Sequence, residues 1–250
     1  MNDAEASGRR AADEFKERWE RVRARIERAA LRAGRDPGAV ALVAASKAVP
    51  VERVLEAVGR GCRVFGENRV QEALGKIDAV TVRMGAQAPA EMEWHLIGPL
   101  QPNKVKHAIG RFALLHAVDR LDVAERLDRA ARERGITQRV LLEVNVAGET
   151  TKHGFRPDDL ASAAERMGGL PGLRVLGLMA IPPLADKPED ARPHFRRLRI
   201  LAEQVEARGI PGVSMRELSM GMSADFDIAI EEGATMVRVG TALFGPRPVR

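Results

Sequence analysis

The chain has 250 residues, 45% hydrophobic and 30% charged, with 40 Lys and Arg against 35 Asp and Glu, a formal charge of +5 and a pI of about 9.8. This suits one large water-exposed domain or two small ones, and no apolar run approaches the roughly 18 residues that a membrane span needs. Acidic residues interleave with basic ones, as in "EFKERWERVRARIER" (14–28), aromatic residues are 4% and only 7 of the 40 bases are lysine, so solvated helix faces are expected and no nucleic-acid surface.

The N-terminal stretch is too charged to be a signal peptide. It reads as an amphipathic helix over about 9–33, ending near Gly34 with Pro37 beyond, and this 1–36 segment is expected to pack on the rest. A first strand follows at 40–47, "VALVAASK", then a helix over 50–60, a strand at 63–68 and a helix over 69–80. The lone Cys62 excludes an internal disulfide framework, fits a reducing, cytoplasmic location and reads as a packing residue. Strands at 93–98 and 113–119 flank a helix over roughly 102–110; a helix over 121–134, with Asp119 or Asp122 as cap, leads to a strand at 139–146. A helix over 157–168 starts at Pro157, a strand runs 173–181, and a helix spans 188–208. A strand at 215–220, a helix over 224–232 preceded by Ser223, and a strand at 234–241 complete the chain.

Strands alternating with helices argue for parallel βαβ units. Eight units in 250 residues point to a single (β/α)8 TIM-barrel domain over 1–250, since about 250 residues is typical of that fold. The rival, an open doubly wound sheet, would carry a glycine fingerprint after its first strand, where this chain has "ASKAVP".

Barrel active sites form at the C-terminal strand ends. Lys47, Glu67, Asn68, His95, Asp119, Asn145, Ser219, Arg238 and Thr241 fall there. Period-two alternation puts Val43, Ala45 and Lys47 on one face, and Met236, Arg238 and Gly240 on one face, so Arg238 points into the barrel. A lysine ending an apolar strand either snorkels to water or offers its amine to a carbonyl, that of a sugar or of pyridoxal phosphate (PLP). Ser219, Gly221 and Ser223 after strand seven, and Gly240 and Thr241 after strand eight, lie where this fold often binds phosphate. Lysine and phosphate site together suggest a phosphorylated carbonyl ligand. Arg238, always protonated, suits a pyridine nitrogen and would leave it unprotonated.

Six motifs in order, "ALVAASKAVP", "FGENRVQEALGK", "EWHLIGPLQPNKVK", "VNVAGETTKHGF", "GLMAIPP" and "LSMGMSADFDIAIEEGATMVRVGTALFG", resemble the PLP homeostasis proteins, relatives of the alanine racemase barrel (PLP fold type III). The resemblance covers about residues 40–245. It implies PLP as cofactor, an internal aldimine on Lys47, phosphate contacts from Ser219, Ser223, Gly240 and Thr241, Arg238 at the pyridine nitrogen and Asn68 near the ring. The family often ends "FG-x-R-x-Y"; this chain ends "FGPRPVR".

A two-base racemase needs an acid–base group on each face of the carbanion. In the alanine racemase pattern the second is a tyrosine from a further domain, and this sequence has no tyrosine and stops soon after strand eight. The expectation is therefore a non-catalytic, monomeric PLP carrier acting in vitamin B6 homeostasis, with PLP-dependent apo-enzymes as possible recipients; the alternative is an amino-acid racemase. The five histidines show no metal-ligand spacing. His95 is expected to line the cofactor's face or pack in its strand, and Lys104 and Lys106 of "LQPNKVK" to bind an anion or to face solvent.

Overall fold

An apolar run that alternates between a barrel interior and a covering helix buries both faces, and eight of them close the sheet. The computed structural model describes residues 3–149, 153–183 and 186–246, with side chains from residue 14. In chain order these form α1 (Asp3–Arg32), β1 (Ala41–Ala45), α2 (Val51–Gly59), β2 (Val64–Glu67), α3 (Val70–Met84), β3 (Glu93–Leu96), α4 (Val105–Ala108), β4 (Leu114–Val118) and α5 (Leu121–Glu133). There follow β5 (Gln138–Glu143), α6 (Leu160–Gly168), β6 (Leu173–Met179), α7 (Arg192–Glu206), β7 (Val213–Ser219), α8 (Phe226–Glu231), β8 (Met236–Val239) and α9 (Thr241–Phe244). The strands pair in sequence order, all parallel, and β8 closes on β1 through Ala41–Met236 and Val43–Arg238.

Alternation sorts the core into two layers, as expected. Leu42, Ala44, Phe65, Val237 and Val239 face the helices. Val43, Ile97, Leu114, Leu141, Met179 and Met236 fill the barrel. Most strands are shorter than the apolar runs that predicted them. Lys47 lies beyond β1, in a turn where Ala48 takes φ 59°, and Thr241 begins α9 instead of ending β8.

Two expected caps are placed otherwise. Arg120 is the N-cap of α5, while Asp119 bonds the His153 ring at 3.2 Å. Asp225 is the N-cap of α8, and its carboxylate accepts the Met222 N–H at 2.6 Å. Ser223 is thereby left to face the last loop.

The N-terminal helix lies over α8 and α9. Phe15, Val22, Ile26, Ala29 and Ala30 are buried, each larger side chain contributing about 1.5–3 kcal/mol. Phe15 stacks on Phe244 at 5.6 Å, and Arg25 pairs with Asp227 at 2.5 Å above the Phe226 ring. So α1 braces the two elements that follow the last loops. Among the described residues no helix is long and apolar enough to cross a membrane. Residues 247–250 of the tail and 150–152 of the "GETTKHGF" motif lie outside the described residues.

Candidate functional site

A cavity of about 330 Å³ opens at the C-terminal strand ends, and Lys47, Asn68, Ser223, Arg238, Gly240 and Thr241 all line it. Six of the seven residues expected from sequence therefore meet around one cavity, joined by Ile97, Ile181, Met222 and Phe244. Ser219 does not. It is fully buried inside the barrel, where its hydroxyl accepts from Arg238 at 2.5 Å and lies 2.8 Å from His116 Nδ1. Alternation turns the last residue of β7 inward, below the rim where a phosphate would bind.

The Lys47 turn is held by a buried lock that the sequence reading missed. The Ser46 hydroxyl donates to Glu67 at 2.7 Å, and Lys76 reaches Glu67 at 2.5 Å and the Ser46 carbonyl at 2.6 Å. Burial pushes the Glu67 carboxyl up, while Lys76 and Ser46 pull the other way. Glu72 Oε1 accepts the Ala48 N–H at 2.8 Å, fixing a left-handed residue that costs about 1–2 kcal/mol. Lys76 stands nine residues after Glu67, across a strand-to-helix turn, so no helical spacing signals the pair.

On the opposite wall Ser223 bridges the last two loops, its oxygen accepting Gly240 N–H at 3.3 Å and Ala242 N–H at 3.2 Å. Gly221, at φ 87°, lets the first of these loops fold tightly: a Cβ there would lie 2.5 Å from that of Ala229. Gly98 likewise admits the Asn68 backbone, since its Cβ would meet the Asn68 carbonyl at 2.5 Å.

Arg238 is 4% exposed and donates to the Ser219 carbonyl at 2.8 Å, the Ser219 hydroxyl, and the Ala180 carbonyl at 3.0 Å. Among the described residues it makes no ion pair. Burial lowers its pKa to about 10, against the pull of Glu143 and Asp225. Burial, and after it the charge of Asp119, pushes the Glu143 carboxyl up. Neither Glu143 nor Asp119 lines the cavity.

Beneath Arg238 a hydrogen-bond chain crosses the barrel. It runs from Ser219 to His116, from His116 Nε2 to His95 Nδ1 at 3.0 Å, and from His95 Nε2 to Glu93 at 3.1 Å. Arg139 closes it at the other end, 2.8 Å from Glu93. A guanidinium only donates and an ionised carboxylate only accepts. The two ends therefore set the tautomers: Ser219 O–H donates to His116 Nδ1, His116 Nε2–H to His95, and His95 Nε2–H to Glu93. Thus His95 packs in the interior and does not line the cavity. Among the described residues no cluster of three metal-ligating side chains occurs.

Residues 15–248 match the family model described as alanine racemase, N-terminal domain. The pyridoxal phosphate homeostasis protein of Aquifex aeolicus is 47% identical over 231 residues, 92% of this chain and 97% of that one. The chain belongs to the pyridoxal phosphate homeostasis protein family. Among solved structures, a protein from Bifidobacterium adolescentis described as unknown matches this family member with a TM-score of 0.89 and 39% identity, covering 98% of this chain and 97% of that one. PipY of Synechococcus elongatus, solved with PLP bound, matches with a TM-score of 0.74 and 38% identity, covering 88% of this chain and 100% of that one. Alanine racemase of Clostridium difficile, at 15% identity and a TM-score of 0.69, shares the fold, covering 95% of this chain and 58% of that one. The barrel is thus alanine racemase-like, as the sequence motifs imply.

Proposed function

We propose that this homeostasis-family chain binds PLP in the cavity at the strand ends and holds it on Lys47 as a cytoplasmic carrier with little turnover. When bound, PLP supplies an aldehyde that condenses with a primary amine and a phosphate that anchors it. Lys47 provides the amine. Ser223, Gly240 and Thr241 receive the phosphate, and Asn68 lies beside the ring. Arg238 is the strongest point of fit. It is a buried guanidinium whose partners are neutral oxygens, so it suits an acceptor nitrogen and keeps that nitrogen unprotonated. Ser219 serves Arg238 and is not part of the phosphate set.

One observation carries the non-catalytic reading. Among the described residues lining the cavity, the titratable ones are Lys47 and Arg238. A racemase needs a second acid–base group opposite the lysine, and a guanidinium with a pKa of about 10 is a poor one at neutral pH. None of the 250 residues is tyrosine. The reading extends to a monomer that passes PLP to apo-enzymes.

The test is spectroscopic. Protein incubated with PLP should absorb at about 420 nm, borohydride should abolish the band, and the modified peptide should contain Lys47. Lys47→Ala should show neither band nor adduct. An adduct on another lysine overturns the site, and efficient alanine racemisation lost in Lys47→Ala overturns the carrier role.

A further inference from the structure

Lys47 has a second neighbourhood. On the side away from Ser223 it borders a separate groove of about 520 Å³, shared with Asn68, Arg69, Val70, Gln71 and Lys104. That volume is within the range of small-molecule sites. Three cations converge there, and among the described residues no Asp or Glu lines the groove. Lys47, Arg69 and Lys104 meet no hydrogen-bond or ion-pair partner among the described residues. Arg25, Arg32, Arg192 and Arg196, by contrast, are paired, with Asp227, Glu231 and Glu232.

The backbone adds donors. The groove includes Val70 and Gln71, the first residues of the 15-residue α3, whose N-cap Arg69 gives no side-chain cap. First-turn N–H groups have no helical acceptor. Glu72, the acid of that turn, accepts the Ala48 N–H, stands 3.9 Å from Lys76 and does not line the groove. Unpaired cations and free backbone donors without a carboxylate form a receptor for an oxyanion.

We propose that this groove is a second anion site, taking the carboxylate or phosphate of a small molecule against Arg69, Lys104 and the first-turn N–H groups of α3, beside Lys47. It is distinct from the Ser223–Gly240–Thr241 wall and goes beyond the PLP reading, because its donors are not those that would hold PLP phosphate. Lys47 and Asn68 belong to both cavities, so an occupant of the groove sits next to whatever Lys47 holds. Of the two lysines of "LQPNKVK", Lys104 lines the groove and Lys106 does not.

The test uses 15N-labelled protein saturated with PLP, titrated separately with malonate, inorganic phosphate and sodium chloride at matched ionic strength. The amides of Val70 and Gln71 should shift saturably with malonate or phosphate and not with chloride. The tighter of the two identifies the ligand as carboxylate or phosphate. Arg69→Gln combined with Lys104→Ala should weaken binding by about ten-fold or more, each removing a charge-assisted contact. Lys106→Ala should leave it unchanged, and Arg69→Gln alone provides a second, milder variant. Shifts that chloride reproduces, shifts confined to Gly240–Ala242, or equal affinity in the double variant would overturn the site. Failure of PLP to load on Lys47 would leave the amide titration readable, so the two readings fail separately.

Discussion

His116 Nε2 lies 3.0 Å from His95 Nδ1 inside the barrel, with both rings buried. Neither ring can be solvated, so each is satisfied by the other and by Ser219 or Glu93. Replacing one, as in His116→Leu, strands the Ser219 hydroxyl and the His95 ring at about 1–3 kcal/mol for each unsatisfied group. The double variant His95→Leu with His116→Leu should lose less than the sum of the single losses. Chemical denaturation of the four proteins measures this coupling, and additive losses would contradict the chain.

Acid should destabilise the protein in two stages. Burial, then the charges of His95 and Arg238, hold the His116 pKa well below the usual 6.5. Below about pH 6.5 the unfolded chain therefore binds a proton that the native state refuses, and stability falls with pH. A second loss follows from Glu93, whose carboxyl is held at about 2 by the His95 hydrogen bond and then by Arg139, against burial. The stability from Glu93 is present above its usual 4.5 and disappears as pH falls toward about 2. Urea midpoints between pH 7 and 2 check both: His116→Gln should remove the early onset, and Glu93→Gln should flatten the later fall.

Lys76→Met should be among the most damaging single changes. It leaves the fully buried Glu67 carboxylate without its counter-ion and releases the Ser46 carbonyl, an effect of about 3–5 kcal/mol. Adding Glu67→Leu should recover much of the loss, because the stranded charge goes too. Denaturation midpoints read the stability, and the yield of borohydride-trapped PLP on Lys47 reads the turn.

Gly221→Ala should couple stability to ligand retention. The new Cβ would collide with Ala229 and the Phe226 backbone at a φ of 87°, costing at least about 2 kcal/mol. Since the Gly221 carbonyl accepts the Arg238 N–H at 3.0 Å, the shift reaches both walls of the cavity. PLP should dialyse away faster than from the unaltered protein, whereas Gly59→Ala, where a Cβ meets nothing within 4 Å, should be neutral or stabilising.

The eight apolar runs and their alternation were enough for the barrel, because burial on both faces is written in local residue order. Period two also pointed Arg238 into the barrel, as found, and the Gly/Ser loops fell at the strand ends that line the cavity. Strand ends were less legible, since the Ala48 turn depends on Glu72, 24 residues away, and not on the residues of the turn.

Only the tertiary structure separated Ser219 from Ser223. They stand two residues to either side of Gly221, yet one ends β7 with its hydroxyl in the interior chain and the other faces the last loop. The same holds for His95 and His116, which are 21 residues apart and lie on adjacent strands, and for Glu67 and Lys76, whose roles exist only once two strands and a helix close around them. Residue order determines which faces are buried, because hydrophobicity is a property of each side chain. Which polar atoms meet inside is decided by the closed barrel, because a hydrogen bond needs two groups brought within about 3 Å from distant parts of the chain.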